Sequence, residues 1–477
     1  MACERKKLTA EIVKDIGIIH RYDEPRKYEI GKTGVTVDLQ YQAWPSVISD
    51  ENGVLYAFTS GRLWHIDPFG HTLMYKSYDN GMTWSEPIVA NDTPMDDRDV
   101  GAVYLGNGKM LITYFRISAW DLMADEQTVT TADGIEIRGT RPSTKDAEGN
   151  YTFDYIRWQN ARYTTPEQVK AVFDDWSTMT KEELEGGCWS LLSEDYGQTW
   201  SAPRMTPVSS PHGPLLRKDG SLLYVGRGGY EGDGIYAAVS HDLGETWEYL
   251  ATIHKNSLML YCEPHAVELE NGRLVVGIRV QGLSHNIDGN TYIGAGFYHD
   301  GQQIYGSQGT VFTIGEDRIP VHYDGEGQWQ RNRTYYRIYI SISDDGGKTW
   351  TTPEMLKVED PTGNLELTHG YPYGTPPHLL VLKNGEIVLT YSTREYDIGQ
   401  RAVVSYDNGD TWDKEIILCN KPYDPAPDGN GGRHYYHADI GYPATVATAD
   451  GGLLSVYYQA YTGDRYCSFL YTKWFLK

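Results

Sequence analysis

The chain has 477 residues, of which 42 are basic and 65 are acidic, so its formal net charge is −23. This excess of acidic residues argues against nucleic acid or an anionic membrane as a partner, because both recruit basic surfaces. The composition includes 13 Trp, 38 Tyr, 9 Phe and 51 Gly, and it predicts an all-β fold because aromatic residues favour strands and glycine favours tight turns.

The N-terminal segment MACERKKLTAEIVKD carries charges where a secretion signal needs an uninterrupted apolar run. No window of the sequence approaches the roughly 18 apolar residues of a membrane span. The five cysteines are widely spaced and form no CxxC pair, so they indicate neither a disulfide framework nor a zinc site. We therefore expect a cytoplasmic protein with no metal and no other cofactor, and the oligomeric state stays open.

One octet recurs five times with Ser, Asp, Gly, Thr and Trp at fixed offsets. The copies are SYDNGMTW at 77–84, SEDYGQTW at 193–200, SHDLGETW at 240–247, SDDGGKTW at 343–350 and SYDNGDTW at 405–412. Asp and Gly favour a tight turn, and the following Thr and Trp favour the start of a strand. The octet therefore predicts a recurring turn between strands.

A second repeat places Asp or Asn followed by Gly before a strand. It occurs six times, beginning at Asn52, Asn107, Asp219, Asn271, Asn384 and Asp450. The combined unit reads strand, Asx-Gly hairpin, strand, third strand, octet turn and fourth strand. Six units, the last without an octet, predict one domain over 1–477. This is an all-β, six-bladed β-propeller of four-stranded antiparallel blades, closed by the N-terminal segment.

Two of the units are longer than the others. The separation between the Asx and the octet Ser is 86 residues in unit two and 72 in unit four, but 21 or 25 in the regular units. This predicts insertions at about 117–189 and 281–335, both on the face where second strands end and first strands begin. Thr165, Pro166 and Gln168 form a capping pattern that predicts a helix within the first insertion.

The same face collects arginine. Five of the second strands end in, or close to, one: Arg62, Arg116, Arg227, Arg279 and Arg394. Guanidinium groups converging on one propeller mouth would bind a carboxylate, sulfate or phosphate. Pairing with local Asp or Glu is the alternative for each of them.

First strands begin at this face as well. Trp44, Asp99, Glu263 and Tyr442 each lie eight residues before their Asx, so they are expected at equivalent positions of four blades. A Tyr beside a Glu can act as a nucleophile and its base. A neutral phenol also avoids the repulsion between a carboxylate nucleophile and a sugar that carries a carboxylate on its anomeric carbon. Strand-edge packing and a structural ion pair are the alternative.

The octets, of the form S-x-D-x-G-x-T-W, resemble the Asp boxes of the sialidase-like (BNR repeat) superfamily, and the similarity covers about residues 40 to 475. The resemblance implies a propeller whose octets lie on outer turns and take no part in catalysis. In AFTSGRLWHID it implies Arg62 as a substrate-binding residue and Asp67 as the acid/base. In IGYPATVATADGGLL it implies Tyr442 as the nucleophile, and in CEPHAVELENGRLVVGIR it implies Glu263 as the base that activates Tyr442.

The family's triad of carboxylate-binding arginines is matched incompletely. Arg279 follows Glu263 at the spacing of the second arginine, and Arg401 in GQRAVVSYDNGDTW matches the third, with Arg394 as its alternative. The first arginine is missing, because its motif is replaced by YQAWPSV, which includes Trp44. Arg98, at the equivalent place on blade two, could substitute for it. The remaining residues of the predicted substrate-binding set are Trp44, His265 and His378.

The resemblance implies an exo-acting glycoside hydrolase of the sialidase type that releases a terminal acidic sugar, sialic acid or a related carboxylated sugar. Two alternatives stay open. A His–Tyr pair in an arginine-lined pocket also suits a polysaccharide lyase acting on a uronic acid, and a propeller can bind glycans without turnover. His434, His437 and Asp439 in HYYHAD could coordinate a metal, but this spacing is not diagnostic, and no metal is predicted.

Overall fold

A computed structural model describes much of the chain. The described residues are 7–22, 24–228, 230, 234–255, 259–282, 336–358, 374, 376–393, 399–420, 439–460 and 467–477, with backbone alone for short hairpins between 284 and 320. No helix within these residues is long and apolar enough to cross a membrane.

The described strands form six antiparallel blades, as the sequence predicts. Blade one consists of Tyr41–Ser49, Leu55–Arg62, His71–Ser77 and Ile88–Asp92, and blade two of Asp96–Gly106, Lys109–Ile117, Gly187–Ser193 and Arg204–Met205. Blade three has a divided first strand, Val208–Ser209 and Leu215–Leu216, followed by Leu222–Gly228, Gly234–Ser240 and Glu248–His254. Blade four consists of Met259–Glu268, Leu274–Gly282, Tyr336–Ser343 and Glu354–Met355, and blade five of His378–Val381, Ile387–Thr393, Gly399–Ser405 and Ile416–Cys419.

The N-terminal segment closes the ring, which confirms the predicted closure. Blade six consists of Ile440–Ala447, Leu453–Ala460 and Cys467–Leu476, and Ala10–His20 is its fourth strand. This outer strand is antiparallel to Cys467–Leu476, with Ala10 opposite Leu476 and Gly17 opposite Tyr471. First strands of neighbouring blades contact each other around the central axis, so residues at the starts of these strands meet at one mouth.

Apolar side chains fill the spaces between blades. One cluster joins Val267, Val275 and Ile338 of blade four to Leu389 and Tyr391 of blade five, all buried. Alternating positions of each strand supply the two faces that pack in this way. The core is therefore a ring of layers between sheets around the axis.

The five octets adopt one hydrogen-bonded turn. In each, the Ser hydroxyl donates to the Asp carboxylate two residues on, and the Gly amide donates to the Ser oxygen. The Thr amide and hydroxyl donate to the two oxygens of the same carboxylate. The Asp therefore satisfies several donors of the turn at once, which explains its place in every copy.

The first insertion contains the predicted helix, which spans Pro166–Trp176. Thr165 and Gln168 form the reciprocal capping box, with the Thr165 amide donating to Gln168 Oε1 over 2.8 Å. Short hairpin strands pair elsewhere, at Arg26–Glu29 with Thr36–Leu39 and at Thr128–Thr130 with Glu136–Arg138. Brief 3₁₀ turns span Ala119–Leu122 and Arg157–Gln159.

Aromatic packing fixes the insertion against blade one. Trp64 stacks on Tyr163 with ring centroids 4.6 Å apart. Trp158 and Trp176 are fully buried, and the Trp176 indole N–H donates to the Pro94 carbonyl over 2.9 Å. The insertion is thus a packed wall of the mouth.

We predict that Asp407→Ala lowers the free energy of unfolding by about 1–3 kcal/mol, because it removes the shared acceptor of an octet turn. The lost contacts are from the Ser405 hydroxyl at 2.9 Å and from the Thr411 amide and hydroxyl at 2.8 and 2.5 Å. Urea unfolding followed by tryptophan fluorescence measures the change. Lys414→Ala, an exposed substitution on the same turn, should change little, and equal losses in the two variants would contradict the prediction.

Candidate active site

The four residues predicted to be equivalent share an unusual backbone conformation. Trp44, Asp99, Glu263 and Tyr442 have φ values of 52°, 53°, 48° and 54°, in the left-handed region that residues other than glycine rarely adopt. At each of them the register of the first strand shifts against the second strand, which is the signature of a β-bulge. The bulges direct four side chains to one place at the mouth.

Among the described residues, blades three and five have no left-handed residue at the equivalent position of the first strand. Eight residues before their Asx they have Pro211 and Pro376, and proline cannot adopt a positive φ. The distinction is visible in the sequence, because four spacing-matched positions hold residues with functional side chains and two hold proline. This signal identifies Asp99 as a member of the site, a role that the family pattern does not imply.

A pocket of about 610 Å³ opens at the mouth, and all four bulge residues line it. This volume is in the range of pockets that hold a small ligand. Four arginines also line it, namely Arg98, Arg116, Arg227 and Arg279. Tyr155 of the first insertion contributes to the wall. Three of the five arginines predicted to converge at the mouth, Arg116, Arg227 and Arg279, therefore line the pocket, whereas Arg62 does not and Arg394 lies outside the described residues.

Tyr442, Glu263 and Arg279 form a hydrogen-bonded trio in this pocket. The Tyr442 hydroxyl donates to Glu263 Oε1 over 2.7 Å. Arg279 Nη1 donates to Glu263 Oε2 over 2.5 Å and to the Tyr442 oxygen over 3.0 Å. Arg279 Nη2 donates to Gln281 Oε1 over 2.7 Å. The sequence prediction that Tyr442, Glu263 and Arg279 meet therefore agrees with the geometry.

This arrangement can lower the cost of forming a phenolate. Glu263 is placed to accept the phenol proton, and the guanidinium of Arg279 lies within hydrogen-bond distance of the oxygen that would become negative. Tyr442 is 5% exposed and Arg279 is 7% exposed, so water screens these interactions poorly. The trio can supply an activated oxygen nucleophile.

Asp67 and Arg62 lie outside this constellation. Both are fully buried, and neither is among the described residues that line the pocket. The Asp67 oxygens accept the backbone amides of Trp64 and Phe69 over 2.7 and 2.8 Å. Arg62 pairs with Asp96 and lies 3.6 Å from Asp67. The geometry therefore does not bring Asp67 to the position expected of an acid/base, because the turn uses its carboxylate as an acceptor.

Arg98 and Trp44 are placed together at the floor of the pocket. The Arg98 guanidinium carbon lies 4.1 Å from the centroid of the Trp44 ring, and that of Arg62 lies 4.7 Å from it. Arg98 also pairs with Asp96 over 3.4 Å. Trp44 therefore contacts two guanidinium groups, and Arg98 brings a buried cation next to it from blade two.

Arg401 and Arg394 are not part of the described pocket. Arg401 lies on the third strand of blade five, opposite Tyr391 and Ile417. Its Nη1 donates to the carbonyls of Gln400 and Cys419 over 3.1 and 3.3 Å. Because a third strand lies two strands away from the axis, this position does not suit the expected carboxylate contact. Arg394 lies outside the described residues.

His265 and His378 stack on each other beyond the bulge positions, with ring centroids 4.3 Å apart, and His212 packs against both. Burial lowers the pKa of all three imidazoles, that of His265 to about 3. None of the three is among the described pocket-lining residues. Their contacts therefore fit neutral packing rather than the predicted binding of substrate.

Asp99 is a pocket carboxyl with a shifted titration. Burial raises its pKa to about 7, Arg98 opposes the shift and Glu263 adds to it. Two buried carboxyls near the mouth behave alike, because burial raises the pKa of Asp67 to about 6 and that of Asp97 to about 7. Asp99 is thus the described pocket carboxyl that changes charge near neutral pH.

Metal binding finds no support in the described part of the chain, where no group of three or more His, Cys, Asp or Glu side chains is arranged to hold an ion. His434 and His437 lie outside the described residues. Asp439 is described, and it contacts His65 instead. The sequence carries no signal for this contact, because nothing in the spacing links positions 65 and 439.

We predict that Asp99→Asn changes how stability depends on pH. In the native protein Asp99 stays protonated up to about pH 7, whereas an unfolded Asp ionises near pH 4. The folded chain therefore holds the extra proton between these values, and Asp99 contributes a loss of stability as pH rises through this window. The variant removes up to about 1.4 kcal/mol per pH unit from that slope. Asn also tolerates the left-handed backbone.

Urea unfolding at several pH values between about 4 and 7 measures the difference in slope between the variant and the native protein. Asp92→Asn, at an exposed carboxyl at the end of blade one, serves as the control and should leave the slope unchanged. Parallel curves for the native protein and Asp99→Asn would show that Asp99 is already ionised in the folded state.

Comparison with known proteins relates the fold to several solved structures. No protein-family model and no curated protein matches the chain. A protein of unknown function from Dyadobacter fermentans is 17% identical, with 98% of this chain and 99% of that chain covered at a TM-score of 0.57. A variant of the NanB sialidase from Streptococcus pneumoniae is 13% identical, with 97% and 71% covered at a TM-score of 0.53. An α-L-arabinanase from Penicillium chrysogenum is 12% identical, with 98% of both chains covered at a TM-score of 0.51. At these identities the similarity shows a shared propeller fold.

Proposed function

We propose that the protein is an exo-acting glycoside hydrolase of the sialidase type, which releases a terminal anionic sugar through a covalent intermediate on Tyr442. The observation that carries the proposal is the trio of Tyr442, Glu263 and Arg279 in the arginine-lined pocket. A tyrosine that only packed at a strand end would not need a carboxylate and a guanidinium on the same oxygen.

The trio performs the first half of the reaction. As the Tyr442 oxygen bonds to the anomeric carbon, its proton passes to Glu263 over the existing 2.7 Å hydrogen bond. The glycosidic C–O bond breaks, and the leaving oxygen keeps the electron pair and takes a proton from an acid of the site. Arg279 stabilises the negative charge that develops on the Tyr442 oxygen before the bond forms. In the second half a water bonds to the anomeric carbon and returns a proton to that acid, the bond to the Tyr442 oxygen breaks, and Glu263 returns its proton to Tyr442. Two displacements at one carbon retain its configuration.

Charge supports an anionic sugar. The whole chain carries −23, yet four arginines line this pocket together with the acidic residues Asp99 and Glu263. Arg98 and Arg279 are each 7% exposed, and a buried guanidinium binds a carboxylate more strongly than one in water. We assign the anionic group of the sugar to the side of the pocket that these two arginines line.

The structural neighbours agree with a carbohydrate substrate. One is described as a sialidase and another as an arabinanase, so proteins with this propeller fold include enzymes acting on both an acidic and a neutral sugar. The arginines favour the acidic class. Trp44 in place of the first triad arginine favours a carboxylate placed differently from that of a sialic acid bound by three arginines.

We predict that Tyr442→Phe lowers kcat at least about 10³-fold on the hydrolysed sugar, because it removes the nucleophile and leaves the pocket shape intact. Glu263→Gln should lower kcat by about 10²–10⁴-fold. The dissociation constant for a sugar ligand that is bound but not hydrolysed should change only a few-fold in Tyr442→Phe. Tyr56→Phe is the matched control, since its hydroxyl donates to Asp50, neither residue is among the described pocket-lining residues, and turnover should not change.

The substrate class is decided with fluorogenic sialoside, glucuronide and arabinofuranoside assayed side by side. Release from an anionic substrate that depends on Tyr442 supports the proposal. An unsaturated uronide product, detected by its ultraviolet absorbance, would identify a lyase instead. Binding of acidic glycans with no turnover, unaffected by Tyr442→Phe, would identify a glycan-binding propeller.

A further inference from the structure

The pocket contains a second pair of titratable groups that the nucleophile does not use. His65 lies on the loop after the second strand of blade one and lines the pocket. Its Nδ1 lies 3.2 Å from Asp439 Oδ2. The His65 side chain is 39% exposed and that of Asp439 is 19% exposed. One edge of the imidazole therefore faces a carboxylate, and the ring itself contributes to the pocket wall.

Asp439 is built to remain ionised. The Tyr458 hydroxyl donates to Oδ1 over 2.7 Å, and the Tyr41 hydroxyl donates to Oδ2. Burial alone would raise the pKa of Asp439, but the charge of His65 and the three hydrogen bonds hold it well below its usual range. An ionised carboxylate only accepts hydrogen bonds, so His65 carries a proton on Nδ1. Its Nε2 is then the atom that can exchange a proton with the pocket.

We propose that His65 is the acid/base residue of the reaction and that Asp439 is a positioning residue that orients it. This inference rests on the proposed function, because it assigns the partner that Tyr442 needs for bond cleavage. The arrangement of a carboxylate behind Nδ1 and a reactive Nε2 in front is a recognised way to make a histidine transfer protons.

Trp44 relates the two ends of the pocket. The His65 ring meets the Trp44 indole edge to face with centroids 5.1 Å apart, and the Tyr442 ring does so at 6.4 Å. The nucleophile and His65 therefore contact the same indole. Both groups therefore line one pocket around the same buried indole, and double displacement requires a nucleophile and an acid/base beside one scissile bond.

Each proton transferred in the two steps has a named donor and a named acceptor. In the first step the Tyr442 oxygen bonds to the anomeric carbon and its proton goes to Glu263. The glycosidic C–O bond breaks, and its electron pair stays on the leaving oxygen, which takes the Nε2 proton of His65. In the second step water bonds to the anomeric carbon and gives a proton to His65. The Tyr442 oxygen then leaves and recovers its proton from Glu263.

Two carboxyls are competing candidates. Asp67 is fully buried, and both of its oxygens accept backbone amides, so it has no route to a leaving group. Asp99 lines the pocket on blade two, beside Arg98, where it is placed to contact the bound sugar. The experiment therefore has to separate His65 from Asp99.

The test uses His65→Ala and Asp439→Asn with a series of aryl glycosides of the hydrolysed sugar, which differ in the acidity of the phenol. A poor leaving group needs protonation and a good one does not. We expect kcat/KM of His65→Ala to fall about 10²–10⁴-fold on the poorest leaving group and less than about 10-fold on the best. Asp439→Asn should show the same trend more weakly. Overall fold is checked by circular dichroism, and His65→Gln provides a second variant that keeps a polar side chain.

Azide provides a readout that a structural defect would not produce. When the acid/base is missing and the leaving group is good, azide attacks the tyrosyl intermediate without base assistance. Its nitrogen bonds to the anomeric carbon and Tyr442 departs. We expect azide to accelerate His65→Ala and give a glycosyl azide of retained configuration, with no acceleration of the native protein.

Asp99→Asn and Asp67→Asn are the matched controls, and both should keep the native dependence on leaving group. If Asp99→Asn shows the steep dependence and His65→Ala does not, Asp99 is the acid/base and the inference is wrong. If Tyr442→Phe is inactive while both His65 variants behave like the native protein, the proposed hydrolase stands and only the role of His65 fails. If Tyr442→Phe remains active, the proposed function itself fails.

Discussion

The site depends on a backbone constraint at the start of four inner strands. A non-glycine residue in the left-handed region costs of order 1–3 kcal/mol, and it persists only where the surrounding structure fixes it. Here the bulges that impose it on Trp44, Asp99, Glu263 and Tyr442 are set by the pairing of each first strand with its second. Because side chains alternate along a strand, a bulge shifted by one residue would turn Tyr442 into the sheet packing. Strand pairing within the blades therefore positions the four site residues as well as stabilising the fold.

The charged residues at the mouth form two groups, one that is fully buried and one that lines the pocket. Arg62 pairs with Asp96 and Asp67 without solvent contact, so these charges hold the loop between the second and third strands of blade one. Arg279 instead divides its Nη1 donors between Glu263 and Tyr442. The loss of a proton from Tyr442 would place negative charge beside a cation that is already present. The site thus needs little rearrangement before chemistry, which is the physical meaning of preorganisation.

Repetition made most of the fold predictable. The octet and Asx-Gly spacings predicted six blades and the closure by the N-terminal strand, because each repeat is one hairpin unit that must pack on its neighbours. The capping residues Thr165 and Gln168 located the helix in the first insertion. Within the site, equal spacing from the Asx-Gly turns placed Glu263 and Tyr442 together, since spacing along a strand converts directly into position at the axis.

Sequence spacing did not predict the position of a side chain where that position depends on the conformation of a loop or on which strand of the blade carries the residue. A motif locates Asp67 in sequence but cannot say that its carboxylate turns towards the amides of Trp64 and Phe69. Arg401 matched a family distance, yet it lies on a third strand. His65 and Asp439 are 374 positions apart, and their contact exists only because ring closure places blade six beside blade one.

Trp44 connects these observations. Its indole is 1% exposed and offers no charge to a carboxylate, so it acts on the site through the groups that pack against it. Arg98 of blade two and Arg62 of blade one lie against the same ring, and of these two Arg98 lines the pocket. In the proposed reaction, the anionic group of the sugar binds on the side of Arg98 and Arg279. The blade-one side of the indole, beside His65, is then where the proposed acid would protonate an uncharged leaving group.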